Sequence, residues 1–113
     1  MAITQWSEEI LILELGDEPL FSEDMDGLLR RLEESSGKPP DIIANLQAVT
    51  YLNSSNIAQL LRLRKCLQAD DARLRVCAVG DAVWSVLLIT GLDKVFEFTD
   101  DVATSLASLQ MDL

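Results

Sequence analysis

The side chains that could carry chemistry are carboxylates, serines and two cysteines, because the 113-residue sequence contains no histidine. Its absence excludes Ser-His-Asp and Cys-His nucleophile systems, together with the common zinc and non-haem iron sites. The acidic residues include four adjacent pairs: Glu8-Glu9, Glu33-Glu34, Asp70-Asp71 and Asp100-Asp101. Their spacing is not that of a calcium-binding loop, and we interpret them as solvated caps and turns rather than as paired catalytic acids.

Two further motifs are weighed as sites and set aside. Cys66 and Cys77 lie in apolar segments and are too few for a secreted disulfide framework, so we expect buried, reduced thiols. The pair Gly37-Lys38 lacks the earlier glycine and the following Ser or Thr of a phosphate-binding loop. The sequence therefore predicts no catalytic residue, no cofactor site and no metal site.

A polar tetrad, Asn53-Ser54-Ser55-Asn56, stands at the predicted start of a helix. Asn and Ser are residues that helix N-termini prefer, so capping alone could account for this composition. Trp84 lies in a later segment that is apolar nearly all round, most of which we expect to pack in the core. An exposed Trp84 near the tetrad would suit a protein interface, where tryptophan is a common hot-spot residue.

The charge balance restricts the kind of partner. The sequence has 9 Lys and Arg against 19 Asp and Glu, a formal net charge of -10. Phosphates of nucleic acid and the anionic cytoplasmic leaflet would both repel this surface, so we expect neither nucleic acid nor membrane as a partner. The first residues lack the basic segment and the following apolar segment of a signal peptide. No stretch contains the roughly 18 consecutive apolar residues that a membrane span needs. The predicted location is the cytoplasm.

Short apolar runs alternate with amphipathic segments along the chain. We predict strands at 10–13, 41–46, 74–79 and 96–98, and helices at 22–34, 54–67, 81–90 and 101–109. Ser22 is predicted to cap the first helix and Gly91 to end the third. The packed face of the second helix is expected to carry Ile57, Leu60, Leu61 and Leu67. This alternation predicts an α/β fold with a mixed sheet, in a single domain over residues 1–113.

Three segments in this order resemble the STAS domain family of bacterial anti-sigma factor antagonists and sulfate-transporter tails. Residues 41–52 look like the strand that precedes the family's regulatory helix, and Asn53-Ser54-Ser55-Asn56-Ile57 stands where the family usually has Asp-Ser-Ser-Gly-Leu. Thr90-Gly91-Leu92-Asp93-Lys94-Val95-Phe96 is similar to its closing segment, and the likeness is densest over 41–109. The resemblance implies a STAS-like domain: a small mixed β-sheet with about four helices packed mainly on one face.

The resemblance also implies a non-catalytic regulator that binds an anti-sigma factor or a regulatory serine kinase. In switch members of the family, the kinase is itself an anti-sigma factor and phosphorylates the first Ser of the pair. Carried across, the phosphorylation sites are Ser54 and its neighbour Ser55, and the partner-binding residues at this turn are Asn53, Ser54, Ser55 and Asn56. Trp84 is added to them on the interface argument given above, and not from the resemblance. A phosphate is tolerated at a helix N-terminus, yet its charge of about -1.5 to -2 would expel a closely packed partner.

Two residues depart from the family pattern. Asn53 replaces the usual Asp and keeps its capping ability without the charge. Asn56 replaces the usual Gly and places a polar side chain where glycine would leave room for a partner's backbone. We therefore expect Ser54 to be exposed, but phosphorylated slowly or only by a dedicated kinase.

Two alternatives to the switch stay open. The chain could be a constitutive STAS scaffold subunit of a larger complex, without a phosphoswitch. That complex would be a stressosome-like assembly or the ATPase of a lipid-transport ABC system. An enzyme is the third hypothesis, and no nucleophile with a base, metal site or cofactor motif supports it.

Overall fold

Strands and helices alternate along nearly the whole chain in a computed structural model that describes residues 2–111. In chain order the elements are β1 Ile3–Gln5, β2 Ile10–Gly16, α1 Leu20–Glu34, β3 Asp41–Ala48, α2 Ser54–Ala69, β4 Leu74–Cys77, α3 Asp81–Thr90, a 3-10 helix Leu92–Lys94, β5 Phe98–Thr99 and α4 Val102–Gln110. All four predicted helices and all four predicted strands are present. The bounds of α3 are those predicted, and the other elements differ at one or both ends.

The strands form one mixed sheet in the order β1-β2-β3-β4-β5. β1 pairs antiparallel with β2, and every later pair is parallel. Parallel neighbours need a crossover, and crossovers are right-handed, so α1, α2 and α3 lie on the same face of the sheet. Their buried residues accordingly join one core cluster, while α4 packs on the opposite face. The predicted α/β fold, with its helices mainly on one face, is confirmed.

Coverage of both faces explains why β2 reads as a continuous apolar run rather than an alternating one. Leu11 and Leu13 point into the core beneath α1 to α3. Ile10 and Ile12 point the other way, into the smaller core that α4 completes with Leu109. The second face of β2 is apolar because α4 packs on it. α4 is therefore needed to bury this face of the sheet.

The first helix starts earlier than predicted. α1 begins at Leu20 after Pro19, and the prediction of Ser22 as its N-cap is wrong. The backbone N–H and the hydroxyl of Ser22 donate to the two carboxylate oxygens of Glu18, at 2.7 and 2.6 Å. Glu18 thus satisfies a free N–H of the first turn from outside the helix.

The packed face of α2 also differs from the prediction at one position. Its buried leucines are spaced at i, i+3 and i+7: Leu60, Leu63 and Leu67. The prediction that Leu61 belongs to this face is wrong, because one residue after Leu60 the helix has turned by about 100° and 37% of Leu61 is exposed. Ile57 is partly buried against the core as expected.

Several element ends follow from backbone geometry. β4 stops at Cys77, two residues earlier than predicted, because Ala78 adopts a left-handed φ of 57° that turns the chain out of the sheet. Gly91 ends α3 in the left-handed region with φ 77°, as predicted. β5 is reduced to two residues, Phe98–Thr99. β1 was not predicted, since two of its three residues are exposed and no apolar pattern marks it.

Cys66 and Cys77 are free thiols, the first partly buried and the second buried. Burial raises the pKa of the Cys77 thiol above its ordinary value.

Within residues 2–111 no helix combines the length and the apolar character that a bilayer span requires.

Candidate functional site

The polar tetrad lies at the edge of the sheet where the parallel strands end. We call this the carboxyl edge: the loops that follow β2, β3, β4 and β5, with the first turns of the four helices. In open α/β sheets this edge is where ligands and partners are usually met, because loops from several strands converge there. The tetrad leaves β3 and begins α2, which places it at this edge.

The start of α2 is held by the two asparagines rather than by the serines. Asn53 is the N-cap, and its Oδ1 accepts the backbone N–H of Asn56 at 2.8 Å. In return, Asn56 Oδ1 accepts the backbone N–H of Asn53 at 3.1 Å, which completes a capping box. Ser54 and Ser55 are the first two helical residues, and both are exposed. The interpretation of the serines as caps is therefore wrong.

Asn56 does not face outward. Only 1% of its surface is exposed, because its side chain folds back along the helix start. This corrects the expectation that Asn56 places a polar group against a partner's backbone. Its function here is structural, and the exposed surface of this turn belongs to Asn53, Ser54 and Ser55.

A clamp between two loops fixes the approach to the tetrad. Asp17, just after β2, accepts the backbone N–H of Thr50 at 2.8 Å and its hydroxyl at 2.6 Å. These bonds join the loop before α1 to the loop before α2 across 33 residues of sequence. The hydroxyl of Thr50, followed by its N–H, lowers the pKa of Asp17 below the ordinary value, so the carboxylate is ionised at neutral pH.

A second set of contacts joins the two helices behind the tetrad. Gln59 Nε2 donates to Ser22 Oγ at 3.2 Å, and Ser22 in turn donates to Glu18. The hydroxyl of Ser22, followed by its N–H, lowers the pKa of Glu18, and the side chain of Asn56 contributes a smaller part. The N-terminal half of α2 is thus tied to α1 through Gln59, while the clamp ties the loop before it.

Two exposed apolar side chains belong to the same edge. Leu20, the first residue of α1, is 56% exposed, and Tyr51, two residues before the N-cap, is 46% exposed. Apolar and aromatic side chains of this kind commonly form the centre of a protein interface. Neither residue was predicted from the sequence, because neither is part of a helical or strand period. An aromatic residue two positions before a helix cap was nevertheless a usable signal.

Trp84 lies at the carboxyl edge but belongs to a different part of it. It is half-buried in the first turn of α3 and packs edge-to-face on Phe98 of β5, with ring centroids 5.1 Å apart. These two rings line a cleft of about 280 Å³ together with Ala78, Val79, Thr99 and Asp100. The structure therefore places Trp84 over β5, whereas the tetrad follows β3.

The carboxyl edge presents hydroxyl, apolar and carboxylate groups. Within the described residues, no three acidic or cysteine side chains come together as metal ligands would. What the edge offers is two exposed hydroxyls on a fixed helix start, exposed apolar groups beside them, and carboxylates in the neighbouring loops.

Comparisons with known proteins agree on the fold. The sequence model of the STAS domain matches residues 2–105. An anti-sigma-factor antagonist (STAS) domain protein from Planctomyces limnophilus superposes with a TM-score of 0.80 at 18% identity, covering 96% of each chain. The anti-sigma factor antagonist SpoIIAA in its unphosphorylated form gives a TM-score of 0.76 at 15% identity, covering 98% of this chain and 96% of that one.

A third similar structure comes from the stressosome, described as a signal integration and transduction hub. Its chain superposes with a TM-score of 0.73 at 14% identity, covering 96% of this chain and 95% of that one. At these identities the superpositions establish a shared fold, while the family match rests on the sequence itself.

Proposed function

The chain belongs to the STAS domain family, and on that premise we propose that it is a cytoplasmic anti-sigma factor antagonist that binds its partner without catalysis of its own. The partner is an anti-sigma factor or a regulatory serine kinase. The observation that supports this most directly is the exposure of Ser54 and Ser55 on a helix start whose capping is already complete. Both hydroxyls can therefore meet a partner, or be modified, without loss of the cap.

Phosphorylation of Ser54 gates the binding. The phosphate would sit at the N-terminal end of α2, where unpaired backbone N–H groups and the helix dipole favour negative charge. It adds about -1.5 to -2 charge and bulk at the point of contact, so a partner packed on Leu20 and Tyr51 is displaced while the domain stays folded.

Ser54→Asp provides the test of this binding surface. We expect at least a tenfold loss of affinity for the cognate anti-sigma kinase, measured by calorimetry, with the melting temperature unchanged or slightly raised. Ser36→Asp, the same change in an exposed loop at the opposite edge, is the control and should leave affinity unchanged. Equal affinity of wild type and Ser54→Asp would place the interface elsewhere.

A constitutive scaffold without a phosphoswitch is the second candidate, and Asn53 favours it because the usual Asp and its charge are missing. Incubation with the kinase and ATP, followed by mapping of phosphate by mass spectrometry, separates the two. We expect slow modification of Ser54 in the wild type and faster modification in the double variant Asn53→Asp, Asn56→Gly.

The controls for that experiment follow from the capping box. Asn56→Gly removes one of its two bonds, so the melting temperature of the double variant must be compared with that of Asn53→Asp alone. Absence of phosphate from every version would favour the scaffold. Rapid modification of the wild type, unchanged in the double variant, would show that the asparagines do not slow the switch.

A further inference from the structure

The basic residues of the chain all lie away from the carboxyl edge. Within residues 2–111, each Lys and Arg stands in the second half of α1 or α2, in a segment that enters β3, β4 or β5, or at the second position of β4. Arg31, Lys38 and Arg75 are examples of the three placements. Since the helices run antiparallel to the strands they connect, all these positions belong to the amino-terminal side of the sheet.

The carboxyl edge carries only acidic charge among its Lys, Arg, Asp and Glu side chains in the described part of the chain. The loops after β2, β4 and β5 and the start of α3 supply five carboxylates: Asp17, Glu18, Asp81, Asp100 and Asp101. Hydrogen bonds from Thr104 lower the pKa of Asp101, so this group too is ionised at neutral pH. A surface of one sign attracts and orients a partner of the opposite sign.

The Trp84 cleft supplies a specific point of attachment within this acidic edge. Its walls are the rings of Trp84 and Phe98, both partly exposed, and its rim carries the exposed Asp100. The left-handed turn at Ala78 opens it: the N–H of Ala78 donates to Asp100 O at 3.1 Å, which fixes the rim where the two strands end. The cleft thus combines aromatic faces with a carboxylate on a rigid support.

The size and lining of the cleft select one kind of occupant. A volume of about 280 Å³ accommodates one long side chain and lies below the range usual for cofactor pockets, about 300–1,000 Å³. Arg and Lys have apolar stems that pack on rings and charged heads that stay at the rim. A cation over a tryptophan or phenylalanine face gains further attraction, and Arg makes this contact more often than Lys.

We propose that the partner presents a basic surface to the carboxyl edge and inserts an Arg or Lys side chain into the Trp84–Phe98 cleft, beside Asp100. This inference rests on the proposed function, which supplies a protein partner at this edge. To the proposed function it adds that the partner's surface is basic and that the partner has a second contact point, the cleft. With neighbouring strands about 5 Å apart, a single partner reaches both the tetrad after β3 and the cleft at β5.

The test is a titration of ¹⁵N-labelled protein with the peptide acetyl-Gly-Gly-Arg-Gly-Gly-amide, followed by NMR. The matched control peptide carries citrulline, which has nearly the shape of arginine without its charge. We expect the Trp84 indole N–H and the amides of Ala78 and Thr99 to shift with the arginine peptide. With the citrulline peptide the same shifts should be at least about fivefold smaller.

Two variants assign the effect to the cleft. Asp100→Asn changes an exposed rim residue and should weaken the peptide's binding at least about threefold, whereas Asp70→Asn at the opposite edge should not. Trp84→Leu should abolish the shifts of the Ala78 and Thr99 amides. Because this change also alters packing on Phe98, Asp100→Asn decides the outcome if Trp84→Leu fails to fold.

The proposal is overturned if the cleft resonances do not move, if citrulline moves them equally, or if Asp100→Asn has no effect. Its failure is distinguishable from failure of the proposed function. An arginine peptide that misses the cleft leaves the Ser54→Asp result standing. A Ser54→Asp variant with full affinity removes the gate, while the cleft remains a site for basic side chains.

Discussion

At the start of α2, one pair of residues caps the helix and a different pair exposes its hydroxyl groups. Asn53 and Asn56 share the capping bonds, and Ser54 and Ser55 remain exposed between them. In a capping box the outer residues are fixed and the inner two are free to vary. Two serines can therefore serve binding or modification without a cost in helix stability.

Part of this arrangement could be predicted from sequence. The exposure of Ser54 and the capping ability of Asn53 follow from residue preference at a helix start. The burial of Asn56 could not be foreseen, because its side chain meets Glu18, a residue of the loop before α1 that is distant in sequence. The Asp17–Thr50 clamp was likewise hidden, since it joins residues 33 positions apart in loops that meet only in the folded sheet.

The clamp makes stability depend on pH. The pKa of Asp17 is lowered in the folded state, so the carboxylate stabilises the fold above its ordinary pKa of about 4, and this contribution is lost as the pH falls through and below that value. Asp17→Asn should reduce stability at pH 7 and flatten its decline between about pH 5 and pH 3. Urea unfolding at a series of pH values measures both effects.

Asp70→Asn is the control for the clamp, because it removes an exposed carboxylate at the opposite edge. It should lower stability at pH 7 less than Asp17→Asn does. A pH profile of Asp17→Asn that runs parallel to the wild-type profile would contradict the assignment of this pH dependence to the Thr50 bonds.

Whole elements were easier to predict than their ends. Apolar runs and helical periods identified every element except β1 and the short 3-10 helix, neither of which buries a stripe of its own. The predicted ends were wrong where a residue outside the element determines where it begins or stops. Glu18, before α1, accepts the N–H of Ser22 in the first turn, and the left-handed Ala78 ends β4 early beside the Trp84 cleft.

Two glycines with opposite backbone requirements give a paired prediction on the helices. Gly91 ends α3 at φ 77°, so Gly91→Ala should destabilise by about 1 kcal/mol. Gly27 lies exposed within α1, and an added Cβ there meets no atom within 4 Å, so Gly27→Ala should stabilise by about 0.5–1 kcal/mol. Urea unfolding of the two variants beside wild type measures both signs.

The paired design contains its own control, because both variants make the same chemical change. Space does not distinguish the sites, since an added Cβ at Gly91 also meets nothing within 4 Å. Opposite signs therefore isolate backbone conformation as the cause. Stabilisation by Gly91→Ala would contradict the left-handed end of α3.

Charge is separated across the molecule as a whole. The net charge is -10, and the basic residues are confined to one side of the sheet, so most of the excess negative charge lies at the carboxyl edge. Composition alone revealed the excess and its sign. That the negative charge is concentrated at one edge could not be predicted without the topology. The parallel strand order brings the separate acidic loops together at that edge.

Like charges crowded at one edge repel, so salt should stabilise the domain. Raising NaCl from 0.01 to 0.15 M shortens the screening length from about 30 to about 8 Å, and we expect the melting temperature to rise by about 2–5 °C. Glu14 is exposed near the carboxyl end of β2, and Asp100 is exposed in the loop after β5. The double variant Glu14→Gln, Asp100→Asn should therefore melt higher at low salt and respond less to NaCl.

The matched double variant Glu8→Gln, Asp70→Asn removes the same number of charges beside the basic residues. It should keep the full salt response. Differential scanning calorimetry of the three proteins decides, and identical salt responses in both double variants would contradict a localised repulsion.

The strand order also has a consequence for synthesis on the ribosome. Each strand pairs with the one made just before it, so the sheet can grow in step with translation and no strand waits for a distant partner. The second face is different, because α4, which covers Ile12 and Ile43, is made after all five strands. Until it leaves the exit tunnel, the nascent chain carries an open apolar face, and translation pausing before Val102 prolongs the time in which chaperones or neighbouring chains can reach it.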